Sequence, residues 1–204
     1  MRINANTQYL GLFGNPVAHS LSPLLHNYIL QKMGCNFIYL PFAVPGERLK
    51  DAVNAVRSLN FRGVNVTIPH KEAVIPYLDY VSPEAAACGA VNVISNENGH
   101  LRGYNKDGAG FIASLQEAQV PLQGGALFIG AGGAARSLAV SLAAAGISRL
   151  DFIDIDLSRA KALASSIALP SDVLAGAHLM SKENFTELAR LNDIIINCTP
   201  VGMY

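Results

Sequence analysis

One stretch constrains this chain more than any other: Ala126-Leu127-Phe128-Ile129 runs directly into Gly130-Ala131-Gly132-Gly133-Ala134-Ala135. The short apolar run reads as a buried strand, and the small-residue tract behind it opens a helix. In a G-x-G-x-x-A pattern the first glycine makes the tight strand-to-helix turn. The second lets the backbone approach a pyrophosphate, and a small third residue lets the helix pack close to the strand. The first turn of that helix then points free N–H groups at an anion. A bare glycine triplet carries little weight, and its bland reading is a small-residue helix packed on a sheet. Set between a strand and a helix, the pattern predicts a dinucleotide site.

The rest of the chain agrees with such a fold. Tyr9 to Phe13, Asn36 to Val44 and Phe61 to Thr67 read as strands. A helix starts at Ser22-Pro23, with Ser22 as N-cap, and stops at Gly34. Glu47 to Leu59 places Leu49, Val53, Val56 and Leu59 near helical spacing, and two short helical pieces follow up to Cys88. Val91 to Ile94 and Leu101 to Tyr104 flank Glu97-Asn98-Gly99 as a hairpin, and Asp107 caps a helix running to about Ala118. Val120-Pro121-Leu122-Gln123-Gly124-Gly125 is a breaker-rich linker. Beyond it, strands at Ala126 to Ile129, Leu150 to Asp154, near Val173 and Asp193 to Asn197 alternate with helices from Gly132, Leu157 and Lys182. The pattern predicts an α/β protein with two domains: 1–120, mostly parallel, and 121–204, a doubly wound dinucleotide domain. About 80 residues is short for a six-stranded dinucleotide fold, so the second domain is expected to be partial and the chain a fragment.

Composition excludes several classes. Half of the 204 residues are apolar, and the formal net charge is zero. That balance lacks the basic footprint of a nucleic-acid binder. No run of about 18 apolar residues predicts a membrane span, and the polar start Met-Arg-Ile-Asn-Ala-Asn lacks the apolar core of a signal peptide. Cys35, Cys88 and Cys198 are odd in number and scattered, which fits neither a disulfide framework nor a metal site. A cytoplasmic protein with buried thiols and no metal is expected. Oligomeric state is not legible, and a homodimer is allowed.

The strand after the glycine loop ends Phe152-Ile153-Asp154-Ile155-Asp156. A carboxylate about 20 residues past such a loop accepts hydrogen bonds from a ribose 2′-OH and repels a 2′-phosphate. Asp154 is assigned to the ribose, Asp156 to the next loop or to capping the following helix, and Arg159 to a position one turn into that helix. The reading is NAD over NADP. The expected cofactor-binding set is Gly130, Ala131, Gly132, Gly133, Ala134, Asp154, Asp156 and Arg159, with Thr199 and Pro200 just past the last strand.

Three polar clusters mark the first domain. They are Gly14-Asn15-Pro16-Val17-Ala18-His19-Ser20-Leu21-Ser22-Pro23, then Asn65-Val66-Thr67-Ile68-Pro69-His70-Lys71, then Gly89-Ala90-Val91-Asn92 followed by Gly103-Tyr104-Asn105-Lys106-Asp107-Gly108. The first two follow strands, at the carboxyl ends where α/β sheets bind ligands. Hydroxyls, an amide, an ammonium and a carboxylate are the inventory for gripping a polyhydroxylated acid and moving a proton.

These clusters, in this order, resemble the shikimate dehydrogenase family, including its quinate/shikimate branch, over Tyr9 to Met203. The resemblance implies a substrate domain followed by a Rossmann domain. It also implies reversible oxidation of the C3 hydroxyl of shikimate or quinate, a step of aromatic amino acid biosynthesis on the way to chorismate. It implies that Ser20 and Ser22 bind the substrate carboxylate, that Thr67, Asn92 and Asp107 bind ring hydroxyls, and that Lys71 and Asp107 form the catalytic pair. Which of the two is the base stays open, because lysine needs partial burial to act near neutral pH. Each residue also has a plainer role: Ser22 and Asp107 as helix caps, Thr67 as a strand end, Lys71 as a solvated surface lysine. His19, His26 and His70 are assigned packing or hydrogen-bond roles, and His100 and His178 surface loops.

Two departures from the family pattern stand out. Asn105-Lys106-Asp107 replaces the usual Asn-Thr-Asp, adding a cation beside the carboxylate. Asp154-Ile155-Asp156 replaces the Asn-Arg-Thr of NADP-dependent members, so the arginine for a 2′-phosphate is missing, which supports NAD. Alternatives are a dehydrogenase of a related cyclic acid such as an aminoshikimate, with Lys106 tuning specificity, or a non-catalytic sensor of a shikimate-like ligand. The intact loop and the retained Lys71 and Asp107 argue against the sensor.

Overall fold

In the computed structural model, which describes residues 3–167 and 169–202, strands and helices alternate from Gln8 onward except at one hairpin. Met203, where the family resemblance ends, lies outside the described residues. The chain divides into two compact units between Asn105 and Lys106.

The first unit holds strands β1 (Gln8–Gly14), β2 (Phe37–Ala43), β3 (Gly63–Val66), β4 (Tyr80–Val81), β5 (Val93–Glu97) and β6 (His100–Tyr104). They form one sheet in the order β2-β1-β3-β5-β6-β4. β1 is parallel to β2 and β3, whereas β5 runs antiparallel to β3 and to β6. The reversal follows from the hairpin, whose turn residues Asn98 and Gly99 have φ of 55° and 89°. Two consecutive positive φ values suit the twist of a two-residue connection, and Asn-Gly is the sequence that adopts them at least cost. β4 is two residues long and carries no periodic signal, so sequence patterning does not reveal it.

The helices of this unit are α1 (Ser22–Lys32), α2 (Leu49–Ser58) and α3 (Pro83–Cys88). α2 buries Leu49, Val53 and Val56 in the same cluster as Phe13, Val64, Val66, Ile94 and Leu101. Each such side chain contributes roughly 1.5–3 kcal/mol by leaving water. α1 is different, because none of its residues is fully buried. Its N-cap is Leu21 rather than the expected Ser22, which is the first helical residue. Ser22 is therefore not explained by capping. Pro23 fits the first turn, where a missing N–H leaves no hydrogen bond unmade.

The second unit begins with α4 (Asp107–Glu117), of which Lys106 is the N-cap and Asp107 the first residue. A boundary at 120/121 would leave α4 in the first domain. Instead α4 packs along α5 (Gly133–Ala144), and a Cβ at Gly108 would run into the Ser141 side chain. The missing side chain permits this approach, and the breaker-rich linker at 120–125 hides it from sequence reading. Strands β7 (Gly125–Ile129), β8 (Arg149–Asp154), β9 (Leu174–Leu179) and β10 (Ile194–Asn197) form an all-parallel sheet in the order β10-β7-β8-β9. Helices α6 (Leu157–Ser166) and α7 (Lys182–Leu191) complete the unit.

Read from β9, the strand order is third, second, first, fourth, which is the opening of a dinucleotide-binding fold. Both faces of the sheet are covered. Ala126, Phe128 and Phe152 pack with Ala135, Ala139 and Leu142 of α5, whereas Leu127 and Ile153 meet Leu188 of α7. Such two-sided burial demands the near-continuous apolar strands seen here. His178 lies in β9 rather than in a surface loop, with its Nε2 3.0 Å from Asp151. Among the described residues, no helix is long and apolar enough to cross a membrane, and no cluster of His, Cys, Asp or Glu could hold a metal ion.

Candidate active site

In the first unit, parallel pairing brings the carboxyl ends of β1 and β3 to one edge of the sheet. β5 runs the other way, so the residue before it, Asn92, returns to the same edge. The backbone ties these ends together. Thr67 N–H donates to Phe13 O at 2.8 Å, Val66 N–H to Asn92 O at 2.9 Å, and Val91 N–H to Lys71 O at 2.8 Å. Gly14 leaves the room needed there, since a Cβ would collide with the Thr67 methyl group. Ser20 Oγ accepts from Ser22 N–H at 3.2 Å, so both hydroxyls lie at the start of α1.

Side chains extend the arrangement. The Tyr39 hydroxyl donates to Asn65 Oδ1 at 2.9 Å, and Asn65 Nδ2 donates to Asn92 O at 3.4 Å. Ser20, Ser22, Thr67, Lys71 and Asn92 thus gather in one unit, joined by short links. Lys71 and Asn92 are half-buried. Asp107 opens α4 in the second unit and is half-buried too. His70 is buried, with Nε2 2.6 Å from Val44 O, and His26 stacks on Tyr39, matching the packing roles expected for them.

In the second unit, a cleft of about 240 Å³ opens at the carboxyl ends of β7, β8 and β10. Gly130, Ala131 and Gly132 line it beside Asp154, Ile155 and Arg159, with Cys198, Thr199, Pro200 and Val201 on the β10 side. This lies between the first and fourth strands, the switch point where such sheets bind dinucleotides. Gly130 has φ +93°, and a Cβ on it would sit 2.8 Å from Thr199 Cγ2. α5 has Gly132 as its N-cap and no side chain capping its first turn, so those N–H groups stay available to a phosphate. The residues present fit a pyrophosphate-bearing cofactor. Burial pushes the Cys198 thiol up to about 11, so it lines the cleft as a neutral group.

Asp154 is placed differently from expectation, whereas Asp156 takes the capping position that the sequence allowed it. Asp154 is 5 % exposed, and its two oxygens accept from Ala131 N–H at 2.8 Å and Asp156 N–H at 2.9 Å. It braces the glycine loop. Asp156 caps α6, accepting from Ser158 N–H at 2.9 Å and from the Ser158 hydroxyl at 2.6 Å. These Ser158 bonds hold its carboxyl below the usual range. Arg159, expected one turn into α6 and among the cofactor-binding residues, lines the cleft, with a terminal nitrogen 3.7 Å from where a Gly132 Cβ would be. Sequence reading also passed over Ile155, Met180, Cys198 and Val201 as lining residues, and Tyr39 altogether. The available signal for Tyr39 was a lone phenol in an apolar strand, since a buried hydroxyl needs a partner.

Together the strand order, the glycine loop and the switch-point cleft define a dinucleotide-binding α/β protein that carries a second, polar strand-end site. The family model of the shikimate dehydrogenase substrate binding domain matches residues 12–94. The whole chain is 56 % identical to a shikimate dehydrogenase (NADP(+)) of Syntrophomonas wolfei, covering 70 % of that protein. It is 45 % identical to a second such enzyme, from Desulforamulus reducens, over 99 % of this chain and 70 % of that one. Among solved structures, shikimate 5-dehydrogenase from Listeria monocytogenes, in complex with shikimate and NAD, superposes with a TM-score of 0.90 at 35 % identity. That match covers 100 % of this chain and 72 % of the Listeria chain. The chain belongs to the shikimate dehydrogenase family.

The expectation of NAD over NADP is corrected by these relatives, since both curated enzymes are named for NADP(+). The physical reason is visible in the cleft. The carboxylate on which the expectation rested has both oxygens bonded to the N–H groups of Ala131 and Asp156, and an arginine lines the cleft beside it.

Proposed function

We propose that this chain carries out the reversible, NADP-dependent oxidation of the shikimate C3 hydroxyl to the 3-dehydro ketone. The observation that carries this reading is that backbone hydrogen bonds tie the segments of Thr67, Lys71 and Asn92 together at one end of the sheet, with Ser20 and Ser22 linked to them through Tyr39 and Asn65, in a chain whose second unit has a dinucleotide cleft. Ser20 and Ser22 donate hydroxyl hydrogen bonds to the substrate carboxylate. Thr67, Asn92 and Asp107 hold ring hydroxyls and so orient C3. The domain roles follow: the first unit, up to Asn105, binds substrate and carries Lys71, and the second, from Lys106, binds cofactor and contributes Asp107.

NADP, when bound, accepts a hydride from C3 or returns it. The protein manages the accompanying proton. In the oxidation direction the C3 hydroxyl loses its proton to the Lys71/Asp107 pair as the C–H bond breaks. In reduction the Lys71 ammonium stabilises charge growing on the carbonyl oxygen and supplies a proton to it. On the cofactor side, Gly130 and Ala131 shape the loop through N–H bonds to Ile153 O and Asp154, and the N–H groups of Gly132 to Ala134 hold the pyrophosphate. Arg159 pairs with the 2′-phosphate, a charge-assisted contact that a guanidinium suits well. Thr199 and Pro200 border the same cleft. A reducing cytoplasm suits Cys35, Cys88 and Cys198, which are thiols rather than disulfide partners, and is the location we propose.

The test is a substrate and cofactor panel on the full-length protein, pairing shikimate, quinate and an aminoshikimate with NAD and NADP. Shikimate with NADP is expected to give the highest kcat/KM. Binding of these acids without turnover would sink the enzyme reading in favour of a ligand sensor.

A further inference from the structure

Tyr39 lies within β2 and is 2 % exposed. Its surroundings are Leu12, Val17, Leu10 and Leu30, an apolar cluster that a phenylalanine ring would fill equally well. The hydroxyl therefore needs its own explanation, because a buried O–H without a partner costs about 1–3 kcal/mol. It donates to Asn65 Oδ1 at 2.9 Å, and Asn65 in turn donates to Asn92 O at 3.4 Å. Burial raises the phenol to about 12, with the Ser22 hydroxyl beside it pulling the other way. At neutral pH it stays an O–H donor.

Ring and backbone of Tyr39 are both held. His26 stacks on it, with centroids 4.3 Å apart and planes 12° from parallel. The Asn27 side chain bonds both backbone groups of Tyr39, each at 2.9 Å, and reaches back to Pro23 O at 2.8 Å. One phenol therefore connects the start of α1, where Ser22 sits, to β3 and to the residue preceding β5. Those are the elements that carry the proposed carboxylate and hydroxyl ligands.

We propose that Tyr39 is a positioning residue for the substrate: its hydroxyl holds Ser22 and Asn65, and through Asn65 the Asn92 main chain, in the geometry that receives the carboxylated ring. The proposal rests on the shikimate reading above. Preorganisation of this kind lowers the ordering cost of binding and leaves the hydride and proton steps to other groups.

The test is Tyr39→Phe in the full-length enzyme. The expected result is a KM for shikimate raised about tenfold, the loss of one net hydrogen bond. KM for NADP stays at its wild-type value, and kcat changes less than KM. Shikimate methyl ester, which lacks the carboxylate charge, separates positioning from general damage. The penalty of the variant is expected to shrink severalfold with the ester. In the Ser22→Ala background, Tyr39→Phe is expected to add little. An unchanged KM for shikimate, an equal penalty with the ester, or parallel losses for NADP and in Tm would each overturn the proposal. If the wild-type protein turns over no shikimate, the functional reading fails and calorimetric binding of shikimate decides Tyr39. Unaltered affinity in the variant, or no binding by the wild type, then overturns it.

Discussion

The two units build their sites from opposite materials. In the first, side chains from a helix start and several strand ends converge, and the backbone only brings them to one edge. In the second, backbone at Gly130 to Gly132 lines the cleft beside the uncapped start of α5, and Arg159 stands there as a cation. A backbone site needs residues with little or no side chain, and such residues stand together in the chain. A side-chain site needs residues brought together from a distance, and no local pattern encodes their meeting.

Several substitutions sharpen or break that contrast. The largest effect is expected from Lys71→Ala. Loss of a proton-transfer group lowers kcat by roughly 10³-fold while shikimate still binds, as single-turnover kinetics and a binding titration would record. Near-normal turnover would remove Lys71 from the chemistry. Next comes Arg159→Ala, which removes the charge and leaves the loop backbone intact. KM for NADP should rise about 10- to 100-fold, from the loss of about 1.5–3 kcal/mol of charged hydrogen bonding, while KM for NAD barely moves. Equal losses for both cofactors would show that Arg159 does not read the 2′-phosphate.

Gly130→Ala is the complementary change. At φ +93°, with Thr199 in the way, the added methyl group strains the loop by about 1–3 kcal/mol. Affinity for NAD and NADP should fall together, measured by fluorescence titration. A selective loss of NADP would break the assignment of the loop to the shared pyrophosphate.

The smallest expected effect concerns stability. Asp151 is buried, and burial alone would raise its carboxyl. Hydrogen bonds from Arg149 at 2.6 Å, Asn192 at 2.9 Å and His178 at 3.0 Å outweigh that and hold it below its ordinary value of 3.8. A carboxyl depressed in the folded state contributes stability that is present above its unfolded pKa and lost as pH falls through its folded one. Hydrogen-exchange protection of β8 and β9 should therefore decline below about pH 4, and Asp151→Asn should flatten that decline. An unchanged acid profile in the variant would dismiss the cluster as a source of pH dependence.

Much of this molecule is legible in its residue order. The spacing of Leu49, Val53 and Val56 announces the buried face of α2, Asn98-Gly99 announces the hairpin, and the apolar run before Gly130 announces the first strand of the dinucleotide fold. Thr67, Lys71 and Asn92 stand in separate motifs along the chain, and backbone hydrogen bonds tie their segments together in the fold. What stayed hidden has a common character. The two residues of β4 pair with β6 and have no periodicity of their own, and α4 joins the second unit because Gly108 lets it lie against Ser141. Tyr39 looks like one more apolar strand residue until Asn65 lies opposite its hydroxyl.

Asp154 is the clearest case. Its position after the loop is a fact of sequence, but its two oxygens turn to whichever donors the fold brings nearest. Those are Ala131 N–H and Asp156 N–H. Periodicity and glycine placement act over a few residues and can be read along the chain. The direction of a charged side chain depends on partners up to 23 positions away, as between Asp154 and Ala131, and exists only once they have met.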